Sequence, residues 1–158
     1  MASALPPAVV PLVGTFVGVG RGHFPTIEPF SYREEVAFVS NGSPVLAYRQ
    51  RTSDPGSGRP MHAEDGFLRP AGDGRVELLL AHSFGLTEVQ EGDIAVETDG
   101  VLRLHLTSSA IGVAGTAKPV DAVRRDLTLV GDVLRSELWM SYAGVESQHL
   151  VSELHRVG

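Results

Sequence analysis

The chain has 158 residues, the size of one domain with room for a core and an internal cavity. Its formal net charge of -6, with no basic cluster denser than Arg124-Arg125, excludes a phosphate-tracking surface for nucleic acid. The absence of cysteine removes disulfides, thiolate metal sites, iron–sulfur clusters and cysteine nucleophiles, and suits a reducing cytoplasm.

In chain order, the first segment is MASALPPAVVPLVG. Prolines interrupt its apolar run and no basic residue precedes it, so it is not a signal-peptide pattern. Residues 1–11 are expected to be poorly structured, with at most a turn of 3₁₀ helix ahead of Gly14. The next stretch, Gly14 to Gly22, spaces its glycines as G-x-G-x-G. No helix follows and no Lys-Ser/Thr closes it, which excludes a dinucleotide or P-loop reading. Glycines in a strand instead let the backbone bend or let another group approach closely.

From Phe30 to Phe38 the side chains of Phe30, Tyr32, Val36 and Phe38 share one face. Leu102, Leu104 and Leu106 do the same, with Arg103 and His105 opposite. Leu134, Leu138, Met140 and Tyr142 repeat the period of two. Such alternation is the mark of a half-buried antiparallel strand. Turn signals fall between these runs at Asn41-Gly42, Asp54-Pro55-Gly56, Gly72-Asp73-Gly74, Gly92-Asp93, Asp99-Gly100 and Gly131-Asp132. About ten strands with turns every ~8–12 residues predict an all-β domain over residues 1–158. Closure removes exposed sheet edges, so a closed antiparallel barrel of the lipocalin or fatty-acid-binding-protein kind is preferred over a sandwich. A barrel of this size encloses space for one small apolar ligand. No run approaches the ~20 apolar residues of a spanning helix, and a soluble, cytoplasmic protein is expected.

The succession of motifs is more specific. Gly14-x-Phe16-x-Gly18-x-Gly20 leads to Phe24-Pro25-Thr26-Ile27 and Tyr32-x-Glu34-Glu35. Then come Gly42-x-Pro44-x-Leu46-x-Tyr48, Pro60-Met61-His62-x-Glu64-x-Gly66, Ala81-His82-x-x-Gly85, Glu88-Val89-x-Glu91-Gly92, Gly131-Asp132-x-Leu134 and His149-Leu150. Over nearly the whole chain this resembles the nitrobindin family, heme-binding β-barrels that are similar to fatty-acid-binding proteins. Two departures stand out. Phe16 occupies the place of the signature's Trp, so the ring lacks an N–H and local heme contacts are expected to differ. Val145-Glu146-Ser147 replaces the Pro-Leu that usually precedes the last family histidine.

Neutral imidazole is a standard axial ligand of heme iron, and the chain has six histidines. The resemblance implies His149 as the iron ligand and the catalytic residue. His155, six positions on and on the same face by parity, is its rival. The resemblance also places His62, His82 and Met140 in or near the cavity, Thr26 at a heme propionate, and Lys118 beside an exposed propionate. His105 and His23 are expected to face solvent. The carboxylate pairs Glu34-Glu35 and Glu64-Asp65 point to opposite faces and form no acid–base dyad.

The resemblance thus implies one heme b per chain, held by His149, whose ferric iron isomerises peroxynitrite to nitrate and binds nitric oxide. Partners are small molecules, with neither nucleic acid nor membrane; a homodimer is left open. Two alternatives stay open: a heme-free barrel for a fatty acid or other small apolar ligand, and a heme carrier or nitric oxide sensor without turnover.

Overall fold

Period-two alternation is realised as a sheet that closes on itself. The computed structural model describes residues 5–25 and 27–158. After a 3₁₀ turn (Val10–Leu12) come β1 (Gly14–Phe24), β2 (Ile27–Ser40), β3 (Leu46–Ser53), β4 (Pro60–Pro70) and β5 (Arg75–His82). β6 (Leu86–Val96), β7 (Leu102–Val113), β8 (Ala122–Val130), β9 (Val133–Tyr142) and β10 (Val145–Val157) follow. Each strand pairs antiparallel with the next, and β1 also pairs with β10, so the barrel is closed. Asn41-Gly42, Gly72-Asp73-Gly74, Asp99-Gly100 and Gly131-Asp132 make turns as expected, with positive φ at Gly42, Asp73, Gly100 and Gly131. Gly92-Asp93 does not: it lies within β6. There a Cβ on Gly92 would meet the His105 carbonyl oxygen at 1.6 Å, so this glycine serves a close strand approach rather than a turn.

The β1 glycines have a packing role. Gly20 pairs with Tyr32 and Gly22 with Phe30 across the ladder. A Cβ at either position would lie 2.3 Å from the partner's ring. Two aromatic rings therefore lie over a bare stretch of backbone.

Inside one end of the barrel, Phe38, Leu46, Leu68, Leu78, Leu102, Leu104, Leu134 and Leu154 form a continuous apolar layer. Of residues 1–11, expected to be poorly structured, residues 5–11 are described here. Val9 and Leu12 are 1% and 0% exposed and belong to this core, so the described part of the segment is a plug. Arg156 fastens it, donating to the carbonyl oxygens of Pro11 and Val13 while its guanidinium lies 4.6 Å over the Phe16 ring. Phe16 is fully buried in this closed end. Its exchange for Trp therefore bears on the plug and not on the ligand contacts that the sequence led us to expect.

The outward positions carry charge, including the cross-strand pairs Arg51–Asp65 at 2.9 Å and Arg69–Glu77 at 3.0 Å. Among the described residues no helix is long and apolar enough to cross a membrane.

If the plug contributes core packing, Leu12→Ala should cost about 2–5 kcal/mol and lower Tm by roughly 4–20 °C in thermal unfolding followed by circular dichroism. A variant melting with the wild type would show that the segment is only an appendage.

Candidate ligand cavity and its polar floor

Beyond the apolar layer the inward parity continues but the residue type changes. Glu34 precedes Val36 on β2, Gln50 follows Tyr48 on β3, and Arg125 precedes Leu127 on β8. Glu64, Glu88, Gln90 and Ser152 complete the set, and all are buried. Buried charge is costly unless paired and hydrogen-bonded, and here it is both. Arg125 Nη1 donates to Glu64 Oε1 at 2.7 Å and to the Tyr48 hydroxyl at 2.8 Å. Tyr48 in turn donates to Glu64 Oε1 at 2.6 Å. Burial works to raise the Glu64 pKa, but Arg125, then His62 and His82, hold it well below the usual carboxylate range.

Two histidines lean on the other oxygen of Glu64. His82 Nδ1 lies 3.0 Å from Glu64 Oε2 and 3.2 Å from His62 Nε2, and His62 Nε2 is 3.4 Å from the same Oε2. The second nitrogen of His82 meets Glu88, which accepts from Gln90 at 3.1 Å. Burial alone would depress the His82 imidazole; Glu64 and Glu88 outweigh it and push it up to about 9. Glu34 is the exception in the floor. Burial pushes its pKa up, against hydrogen bonds donated by Ser152 (2.6 Å) and Gln50 Nε2 (2.7 Å).

Above this floor lies a cavity of about 820 Å³, within the ~300–1,000 Å³ usual for small-molecule and cofactor sites. Phe30, Leu138 and Leu150 wall it, and Phe84 and the loop carrying Lys118 reach its mouth. His62, His82, Met140 and Lys118 all line it. Thr26 lies outside the described residues. The chemistry of these residues fits a heme: apolar walls for the macrocycle, an ammonium near the mouth for a carboxylate, and imidazole donors close by.

His149 stands differently. Its neighbours Gln148 and Leu150 line the cavity, whereas its own half-buried ring belongs to a stack on the other face of the wall. It lies 5.0 Å from Trp139 at an interplanar angle of 12° and 6.3 Å from His23, with Nε2 3.3 Å from Glu137 Oε2. Arg124 covers Trp139 at 4.0 Å. His155 is exposed beside Glu153 and away from the cavity. His105 and His23 face outward, as expected.

The floor itself was missed by sequence reading, which set Glu34 and Glu64 aside because their carboxylate neighbours face away. The opposite faces are real: Glu35 and Asp65 are exposed. The overlooked signal is parity. Glu34 falls in the inward set between Tyr32 and Val36, and Arg125 between Val123 and Leu127.

Comparison with known proteins agrees with this architecture. A family model described as THAP4-like, heme-binding beta-barrel domain matches residues 7–156. Peroxynitrite isomerase 2 of Mycobacterium avium is 45% identical over 150 residues, 94% of this chain and 92% of that protein. Peroxynitrite isomerase 1 of Mycobacterium tuberculosis is 44% identical over 153 residues, covering 94% and 93%. The crystal structure of Rv2717c from M. tuberculosis superposes with a TM-score of 0.90 at 42% identity, covering 98% of this chain and 99% of that one.

The buried Glu34 gives a pH dependence of defined sign. Its folded pKa lies above the unfolded value of 4.5, so the folded state binds more protons and stability falls as pH rises from about that value. Gln50 Oε1 has no hydrogen-bond partner among the described residues, and a flipped Gln50 amide could accept from a glutamine at position 34. Glu34→Gln should therefore melt higher than wild type at pH 8, by about 2–4 °C per kcal/mol gained, with the gap closing towards pH 4. A gap that does not vary with pH would contradict the reading.

Proposed function

The chain belongs to the THAP4-like heme-binding β-barrel family, and we propose that it is a peroxynitrite isomerase working with one heme b held by His149. The observation that carries this reading is the cavity: a closed barrel end, apolar walls and a single mouth-side ammonium, in a chain whose relatives bear that activity in their names. Bound heme supplies a ferric position at which peroxynitrite rearranges to nitrate and which also takes nitric oxide.

The chain's own residues supply the surroundings. Phe30, Leu138 and Leu150 keep water from the cavity and strengthen every electrostatic interaction within it. Lys118, exposed at the mouth, offers its charge to a propionate, a contact of roughly 0–1 kcal/mol; Thr26 is assigned a hydroxyl contact to the same group. Met140 packs the wall, and His62 and His82 lie at the floor. The chain is expected to act on small molecules in the cytoplasm. His149 is the assigned iron ligand because of its place in the family motif, beside the cavity-lining Leu150.

One observation favours the second reading, a heme-free barrel for an apolar ligand: the His149 ring lies in the stack with Trp139 and His23 rather than in the cavity.

Hemin titration separates the two. The full chain should take up one hemin with a sharp Soret band, and His149→Ala should weaken uptake at least tenfold. An unchanged spectrum in that variant removes His149 as ligand, and no Soret band in wild type removes heme. In stopped-flow mixing, the hemin-loaded chain should speed peroxynitrite decay to nitrate; decay at the buffer rate leaves a carrier or sensor.

A further inference from the structure

We infer that His62, Glu64 and His82 form a second site, for one divalent transition-metal cation, in the floor of the cavity and separate from the heme iron. The three ligand atoms make a compact triangle. His82 Nδ1 to His62 Nε2 is 3.2 Å, His82 Nδ1 to Glu64 Oε2 is 3.0 Å, and His62 Nε2 to Glu64 Oε2 is 3.4 Å. Metal–nitrogen and metal–oxygen bonds of about 2.0–2.2 Å put adjacent ligands about 2.9–3.4 Å apart, depending on the bond angle. A point about 2 Å from all three atoms therefore lies just off their plane.

The backbone fixes this triangle. His62 and Glu64 are two apart on β4, hence on one face, and Glu64 is the register partner of His82 on β5. Two of the three ligands are also braced from behind. Glu64 Oε1 accepts from Arg125 Nη1 and Tyr48, and Oε2, which Arg125 Nη2 also reaches at 3.3 Å, faces the imidazoles. The far nitrogen of His82 is held by Glu88, and Glu88 by Gln90. A carboxylate behind a ligating imidazole is the usual outer support of a metal-bound histidine.

Exposure sets the open side. The His82 and Glu64 side chains are 2% and 3% exposed, against 26% for His62, and all three line the cavity. Three protein ligands with a position open to a cavity is the arrangement of catalytic rather than structural zinc sites. Two imidazoles and one carboxylate select Zn²⁺, Co²⁺ or Fe²⁺ over Ca²⁺ and Mg²⁺. Glu64 and Glu88 bring two negative charges against one on Arg125, so a dication leaves an excess of one positive charge. The open position thus suits a small anion such as hydroxide.

Co²⁺ is the direct probe, added to the heme-free full-length chain. One equivalent should develop visible d–d bands, and Zn²⁺ should displace it. His62→Ala removes a partly exposed ring and leaves the Arg125–Glu64 pair intact; it should lose the bands and at least tenfold in Zn²⁺ affinity by calorimetry. His149→Ala should keep the bands, which separates this site from the heme assignment. The double variant His105→Ala/His155→Ala should also keep them. No bands in wild type, bands unchanged in His62→Ala, or bands lost in either of the other variants would overturn the site and leave a hydrogen-bonded network only.

Discussion

The Arg125–Glu64 pair governs the interior of this barrel. It joins β8 to β4, which are not neighbours in the sheet, so the contact crosses the lumen. Removing one partner of such a buried pair typically costs about 3–5 kcal/mol, because the other is left charged and unpaired. Replacing the whole pair with apolar residues is often neutral or stabilising. A layer of this kind therefore gains little stability for the fold. Its effect is to stop the apolar core at a fixed height, so that the space above Glu34, Gln50, Glu64 and Arg125 stays a cavity instead of filling with leucine.

The strands were legible because the physics that makes them is local. Alternation at residues 30–38 and 102–106 needs only the pleat and one wet face, and both segments bury as read. Closure was legible as the way to satisfy sheet edges. The plug was not, since three prolines and an apolar run do not say where the apolar side chains dock. Val9 and Leu12 find their partners only once the barrel end exists. The polar floor was hidden for a different reason. Glutamate and arginine in a strand are usually outward, and only the cross-lumen partner makes the inward placement tolerable. Arg125 and Glu64 lie far apart in sequence, and no local pattern links them.

His149 shows where parity itself gives out. A register irregularity separates Glu146 from Gln148 in the pairing of β10 with β9. One extra residue exchanges the two faces of a strand, so a single bulge decides which of positions 148 and 149 looks inward. Family likeness identifies the residue, and the ladder decides its direction; these are independent pieces of information.

The imidazoles near the cavity also differ in how readily they can be released. His82 is buried and hydrogen-bonded to two carboxylates, so freeing it would strand charge on Glu64 and Glu88 within the barrel. His149 is half-buried, with one contact to Glu137 at 3.3 Å and a stack on Trp139. A contact of that exposure is worth roughly 0–1 kcal/mol, and an aromatic stack about 0.5–1.5 kcal/mol. A metal–imidazole bond exceeds that sum. His149 is thus the more readily released of the two imidazoles.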